Sequence, residues 1–173
     1  HTASYDTAIA GYFAGTEAPT GPSTSAEGLD EALPARLALR LPLTQPMRYG
    51  ENPHQPAALY ADAKTPFETL WGKELSYNNL LDVTAALRLI AEFEHAPPTV
   101  AILKHTNPCG VGQAETLEAA YARAFATDRQ SPFGGIVVAN RALDMAAAEA
   151  LDAIFTEVVI APDFEDGVLD FLQ

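Results

Sequence analysis

The chain has 173 residues and a formal net charge of −13, from 23 acidic and 10 basic side chains. This acidic balance argues against general binding to nucleic acid or to anionic membranes, and no apolar run approaches the roughly 20 residues of a membrane-spanning helix. Hydrophobic residues make up 48% and charged residues 19%, as is ordinary for a globular protein with a real core.

The first 46 residues differ in composition from the rest. Tyr5, Ile9, Tyr12 and Phe13 share one face of a short amphipathic helix predicted over residues 1–14. Residues 15–25 are rich in Gly, Pro, Ser and Thr, as linkers are, and residues 33–46 alternate Leu between prolines, which predicts an edge strand or an extended arm. Since the chain opens at His1 and not at methionine, we expect a piece of a longer polypeptide.

From residue 47 onward, strand and helix patterns alternate. The predicted strands are 57–61, 99–104, 135–139 and 157–161. The predicted helices are 80–94, one capped by Thr116, and one capped by Asp144 with Leu151, Ile154 and Phe155 on its later face. This alternation predicts an α/β fold with a largely parallel sheet, in which strands 99–104, 135–139 and 157–161 are adjacent.

Lys104 and His105 directly follow the apolar run of residues 99–103. Pro108 and Gly110 predict a turn after that strand, and open α/β sheets bind ligands at such strand ends. An imidazole titrates near neutral pH and can accept a proton, whereas lysine supplies a fixed charge. The alternative is a strand end whose polar residues simply reach water.

Two further segments have the composition of a binding site. Arg48 and Tyr49 open an octet in which an arginine fork could hold phosphate oxygens. Phe133 and Gly134 precede a buried strand, where a ring face and a close backbone approach could serve a ligand. A polar surface loop and a tight strand entry with Phe133 in the core are the respective alternatives.

No metal site is predicted. Pro108-Cys109 is similar to half of a zinc deaminase motif, but the second cysteine of that motif would fall at Gly112, and Cys109 is the only cysteine. The four histidines are scattered, so no tetrahedral site of nitrogen and sulfur ligands is visible. A single cysteine also excludes an internal disulfide and suits a reducing cytosol.

Taken together, five segments resemble the AICAR formyltransferase/IMP cyclohydrolase family. They are RYGENPHQ at 48–55, LSYNNLLD at 75–82, AILKHTNPCG at 101–110, FATDRQSPFGG at 125–135 and EVVIAPDFE at 157–165. The resemblance implies that residues 1–14 are the C-terminal tail of the cyclohydrolase domain, that 15–46 are the linker, and that 47–173 are the N-terminal part of the formyltransferase domain. In this family that part is a three-layer, cytidine-deaminase-like half-domain without the metal.

The resemblance also implies a reaction in de novo purine biosynthesis. The formyl group of the cosubstrate 10-formyltetrahydrofolate moves to the 5-amino group of AICAR, giving FAICAR, which the parent protein cyclises to IMP. By resemblance, His105 accepts the proton and Lys104 stabilises the developing charge. The residues expected to bind the nucleotide are Arg48, Tyr49, Phe133, Gly134 and Glu157, the last an aspartate in some members.

Members of the family are cytoplasmic homodimers that take AICAR and folate, and we expect the same of the parent protein. The alternative is an inactive fragment that only binds nucleotide or a partner chain.

Overall fold

The computed structural model describes residues 5, 6, 8, 9, 12, 39, 41–61 and 65–173. The chain divides into two compact units, His1–Leu39 and Arg40–Gln173. Residues 5, 6, 8, 9 and 12 of the first unit are helical, in agreement with the amphipathic helix predicted there. Phe13 and residues 15–38 and 40 of the predicted linker lie outside the described residues, and the domain boundaries at residues 14 and 46 stay predictions.

Within the described residues, the second unit holds two sheets. The smaller sheet pairs β1 (Leu43–Met47) antiparallel with β2 (Ala57–Tyr60). The larger sheet has the strand order β4-β3-β5-β6. Its members are β3 (Thr99–Lys104), β4 (Asn107–Gln113), β5 (Gly135–Ala139) and β6 (Thr156–Ile160). The three strands predicted to be adjacent in one sheet are therefore adjacent.

Helices cover both faces of the larger sheet. They are α1 (Tyr77–Ala91), α2 (Leu117–Thr127), α3 (Met145–Leu151) and α4 (Val168–Leu172). Side chains of β3 point alternately to the two faces, so Ala101 and Leu103 pack with α1, whereas Val100 and Ile102 pack with α2 and α3. The sheet and the helices on its two faces form three layers, which confirms the α/β class. No helix of the described residues is long and apolar enough to cross a membrane.

The prediction of a largely parallel sheet is wrong. β3 is antiparallel to both of its neighbours, β4 and β5, and the parallel pairing in this sheet is that of β5 with β6. β3 and β4 are joined by two residues, and so short a connection can only link antiparallel strands. The likeness to a cytidine-deaminase half-domain stays an expectation.

The turn predicted after β3 is confirmed, but it lies at His105 and Thr106, whereas Pro108 and Gly110 lie inside β4. β4 is an outer strand of the sheet, where a proline without an N–H is tolerated. A Cβ on Gly110 would lie 2.0 Å from the carbonyl oxygen of Ala124, and one on Gly112 would lie 2.1 Å from that of Ala120. The glycines therefore let α2 lie directly against the backbone of β4.

Three predicted helix boundaries need correction. α1 begins at Tyr77, before the predicted start at residue 80, because Ser76 caps it, and it ends at Ala91, before the predicted end at residue 94. α3 ends at Leu151, so Ile154 and Phe155 follow the helix and do not extend its face. The helix capped by Thr116 is confirmed, and Thr116 accepts a hydrogen bond from the Ala119 N–H.

Candidate functional site

A cavity of about 500 Å³ lies between the beginning of α1, the β3–β4 turn and the beginning of β6. Its lining residues are Tyr49, Ser76, Asn78, Asn79, Leu81, Asp82, His105, Thr106, Gly134 and Glu157. Four of the seven predicted site residues belong to this set, namely Tyr49, His105, Gly134 and Glu157. The other three, Arg48, Lys104 and Phe133, are not part of the lining, but each directly precedes a lining residue.

Arg48 and Tyr49 are held together against the start of α1. The Arg48 Cζ lies 4.8 Å from the centroid of the Tyr49 ring, and Nη2 donates a hydrogen bond to the phenol oxygen over 3.2 Å. The backbone N–H of Arg48 donates to Leu75, and that of Tyr77 donates to Tyr49. A guanidinium carries five N–H donors, so Arg48 has donors besides the one that Tyr49 accepts. Arg48 lines a second cavity, which shares Asn79 and Glu157 with the first.

His105 and Thr106 form a tight turn between β3 and β4. Their φ angles are +52° and +65°, and Lys104 pairs with Asn107 on either side of them. Positive φ at both central residues is characteristic of a type I′ turn, which usually contains Asn and Gly. Each non-glycine residue in this region costs about 1–2 kcal/mol, and the penalty bears most on a β-branched residue such as threonine.

Hydrogen bonds hold this turn in its disfavoured conformation. The Thr106 N–H donates to Oδ1 of Asp82 over 2.6 Å. The His105 carbonyl accepts from the Thr106 hydroxyl over 2.7 Å and from Nδ2 of Asn107 over 2.8 Å. The histidine is therefore presented by a fixed turn and not by a free loop.

Lys104 binds the loop that contains Gly134. Its Nζ donates to the Phe133 carbonyl over 2.7 Å, and the Gly134 N–H donates to the Phe155 carbonyl over 2.8 Å. Gly134 has a φ of +69°, which glycine adopts without a steric cost. Phe133 is 63% exposed and lies 5.7 Å from the Phe155 ring, centroid to centroid. It is thus a surface ring beside the cavity and not a core residue.

Glu157 is held by the first turn of α1. Its Oε1 accepts a hydrogen bond from Nδ2 of Asn79 over 2.9 Å. Oδ1 of Asn79 accepts from the N–H and the hydroxyl of Ser76, while the Ser76 oxygen accepts from the Asn79 N–H. This is a capping box with asparagine in the place of the usual Glu or Gln, and it turns the amide nitrogen of Asn79 toward the carboxylate.

The AICARFT/IMPCHase bienzyme family matches the chain over residues 1–173. The chain belongs to this family. It is 54% identical over 180 residues to the bifunctional purine biosynthesis protein PurH of Chlorobium chlorochromatii, covering 99% of the chain and 32% of the relative. The PurH proteins of Pelodictyon phaeoclathratiforme and Chloroflexus aurantiacus are 53% and 51% identical, covering 99% and 100% of the chain and 33% and 31% of the relatives. The chain thus spans about a third of the length of these curated relatives.

Asn79 and Asp82 line the cavity but were not predicted from the sequence. A signal for Asn79 is present, because it occupies the buried stripe of α1 four residues before Val83, where an apolar residue is expected. An amide at such a position requires hydrogen-bond partners, and Ser76 three residues earlier is one. No comparable signal distinguishes Asp82 from an ordinary surface carboxylate.

Cys109, next to the β3–β4 turn, is not suited to act as a nucleophile. Burial raises the pKa of its thiol, the charge of Asp128 raises it further, and Lys104 opposes both effects. The thiolate is the reactive form, so Cys109 is protonated at neutral pH. Among the described residues, no group of three or more His, Cys, Asp or Glu side chains is placed to hold a metal ion.

Proposed function

We propose that this chain supplies the nucleotide-binding and proton-accepting part of an AICAR formyltransferase in purine biosynthesis. The observation that carries the proposal is that His105 and Glu157, which are far apart in sequence, line the same cavity. Tyr49 and Gly134 line it too. The relatives that match the whole chain are named bifunctional purine biosynthesis proteins, which supports the same assignment.

In the proposed reaction, the 5-amino group of AICAR attacks the formyl carbon of 10-formyltetrahydrofolate. The new C–N bond forms as the bond from that carbon to the folate nitrogen breaks, and the folate leaves as tetrahydrofolate after gaining a proton. The amine is conjugated and weakly nucleophilic, so it must lose a proton as it attacks. His105, on its fixed turn, accepts that proton.

Lys104 stabilises the negative charge that develops on the formyl oxygen or on the departing folate nitrogen. An ammonium group has three N–H donors, and the Phe133 carbonyl uses one of them. The same bond keeps Lys104 beside the loop that carries Gly134, so the cation stays close to the bound nucleotide.

The remaining predicted residues bind AICAR itself. Arg48 contacts the phosphate with the donors that Tyr49 does not use, and Tyr49 contacts the nucleotide beside it. Glu157 accepts hydrogen bonds from the nucleotide with its carboxylate, whose orientation Asn79 fixes. Gly134 contributes a backbone contact, and Phe133 offers an exposed ring face next to it.

The wider assignment follows from the family. Residues 1–14 would be the tail of a cyclohydrolase domain that converts FAICAR to IMP, and residues 47–173 the first part of the formyltransferase domain. 10-Formyltetrahydrofolate would be the cosubstrate, and the parent protein a cytoplasmic homodimer. The isolated chain covers about a third of the length of its relatives. This coverage favours a second function for it, which is the binding of nucleotide or of a partner without turnover.

Isothermal titration of the purified chain with AICAR ribonucleotide tests the binding part of the proposal. We expect Arg48→Ala to raise the Kd about 10-fold or more, because it removes a charge-assisted contact to phosphate. Arg129→Ala, which removes another exposed arginine, is the matched control and should leave the Kd within about twofold. Absence of AICAR binding by the unsubstituted chain would contradict the proposed nucleotide site.

Tetrahydrofolate formation, followed by absorbance, tests the chemical part. This assay uses the 173-residue sequence completed to family length with the remaining segments of the Chlorobium chlorochromatii protein. We expect His105→Ala to reduce turnover at least about 100-fold while AICAR still binds. Turnover that His105→Ala leaves unchanged would contradict the role of this residue and would leave the nucleotide site intact.

A further inference from the structure

We propose that Asp82 is a positioning residue for His105. It acts through the backbone N–H of Thr106, which it holds so that the turn presents the imidazole to the cavity. The proposal rests on the proposed function, because its purpose is to orient the proton acceptor. It assigns no chemical step to Asp82 itself.

The peptide group between His105 and Thr106 is held at both of its polar ends. Its N–H donates to the Asp82 carboxylate, and its C=O accepts from the Thr106 hydroxyl and from Nδ2 of Asn107. The two bonds to the carbonyl come from the turn itself. Among the described residues, Asp82 is the one that reaches this peptide from another element, 24 residues earlier in the chain.

The bond from Thr106 to Asp82 maintains a backbone conformation that is otherwise disfavoured. Both residues of the turn have positive φ, and neither is glycine. A threonine relieved of this bond can rotate the shared peptide group and return to negative φ, which its branched side chain prefers. Rotation of that peptide changes ψ of His105 and φ of Thr106, so the turn that presents the imidazole to the cavity would no longer be held in one conformation.

The helix that carries Asp82 is a rigid support for the turn. Asp82 lies in α1, whose first turn is fixed by the capping box of Ser76 and Asn79. Its bond to Thr106 is short, at 2.6 Å, as expected where the acceptor is a carboxylate. Asp82 and His105 both line the cavity, so the bond acts at the site and not at a distance from it.

The structural test measures hydrogen exchange and NMR spectra of the 173-residue chain. We expect Asp82→Ala to speed exchange of the Thr106 amide at least about 10-fold and to shift the imidazole signals of His105. Asp82→Asn keeps an Oδ1 acceptor and should retain most of the protection. Glu149→Ala removes an exposed carboxylate from α3 and serves as the matched control, with no change at either position.

The kinetic test uses the completed chain described above. We expect Asp82→Ala to lower kcat for formyl transfer about 10- to 100-fold and to change KM for AICAR less than about threefold, because a misplaced base affects the reaction step more than nucleotide binding. The double variant Asp82→Ala/Thr106→Gly should recover most of the lost kcat, since glycine adopts positive φ without help. A direct part of the Asp82 carboxylate in the reaction would not be rescued in this way, so a double variant as slow as Asp82→Ala would contradict the positioning role.

The outcomes separate the two proposals. If Asp82→Ala leaves the Thr106 amide and the His105 signals unchanged, or if kcat stays within twofold, the positioning role is overturned. If the unsubstituted completed chain neither binds AICAR nor transfers a formyl group, the proposed function fails, whereas the exchange data still report whether Asp82 holds the turn.

Discussion

The amide of Asn79 donates to the carboxylate of Glu157 over 2.9 Å and thereby joins the first turn of α1 to β6 across 78 residues of sequence. The other side of the same amide completes the capping box with Ser76. A single side chain therefore both starts a helix and orients a carboxylate of the candidate site.

For this reason we predict that Asn79→Ala lowers the free energy of unfolding by about 1–3 kcal/mol, because it removes the reciprocal half of the capping box and leaves the N–H and hydroxyl of the buried Ser76 without their acceptor. Asn78→Ala is the control. Asn78 is exposed and contributes one bond, to the Glu51 carbonyl over 3.3 Å, so its loss should cost less than about 0.5 kcal/mol. Urea unfolding measures both values, and equal losses would contradict the prediction.

The glycines of β4 support a second prediction. Gly112→Ala should destabilise the fold by about 1–3 kcal/mol, because the new methyl group would meet the backbone of α2, which cannot move aside as a flexible side chain could. Val111→Ala, at the neighbouring and more exposed position, should cost less than about 1 kcal/mol. Thermal unfolding of both variants is the measurement, and a neutral Gly112→Ala would show that α2 does not pack on β4 in this way.

Cys109 allows a third prediction, since the single thiol of the chain can be alkylated selectively. Asp128 raises and Lys104 lowers the pKa of this thiol. Asp128→Asn should therefore lower the pKa and speed alkylation by iodoacetamide at a fixed pH near 8, whereas Lys104→Met should raise the pKa and slow it. Rates measured against pH separate a pKa change from a change in access, and shifts in the same direction for both variants would refute the assignment.

Asp128 itself gives a fourth prediction. Hydrogen bonds from the Ser131 hydroxyl and from the N–H groups of Ser131 and Gln130 lower the pKa of this carboxyl below its ordinary value of 3.8. The charged form is therefore favoured in the folded state, and its contribution to stability is complete above pH 3.8 and is lost as the pH falls through the folded-state pKa. The difference in unfolding free energy between the unsubstituted chain and Asp128→Asn should shrink over that acidic interval. A difference that grows on acidification would contradict the sign.

A fifth prediction concerns activity of the chain by itself. Formyl transfer requires AICAR and folate to be positioned together, and a modest misplacement of reacting groups costs about 100-fold in rate. Because the chain spans about a third of its relatives, we expect the purified 173-residue protein to form tetrahydrofolate at least about 100-fold more slowly than a full-length relative. Comparable rates, with the mass of the chain verified, would show that it holds a complete site.

Much of the fold could be predicted because its signals are local. The buried run of β3, the apolar run of β5 and the Thr116 cap of α2 each lie within a few residues of the structure that they specify. β4 could not be predicted in this way, since NPCGVGQ lacks both β-branched enrichment and regular alternation. Its conformation depends on β3 beside it and on α2 above it, which are tertiary contacts.

In the candidate site, too, residues within recognisable short segments could be predicted, whereas residues that depend on tertiary contacts could not. The resemblance of short segments was enough to single out Tyr49, His105, Gly134 and Glu157, which line one cavity. It did not single out Asp82, because a carboxylate on a helix becomes informative only when the acceptor role toward Thr106 is known. That role depends on how α1 lies against the sheet, and no pattern in the sequence specifies it.

α1 also sets the distance between two sides of the cavity, the beginning of β6 with Glu157 and the β3–β4 turn with His105. Asn79 reaches Glu157 and Asp82 reaches the turn of His105, and three residues of an α-helix correspond to a rise of about 4.5 Å. The spacing of the carboxylate and the imidazole is therefore tied to the pitch of this helix. Insertion of one residue between Asn79 and Asp82 would rotate one of the two side chains by about 100° relative to the other. Either the bond to Glu157 or the bond to Thr106 would then be lost, even in a helix that remains intact.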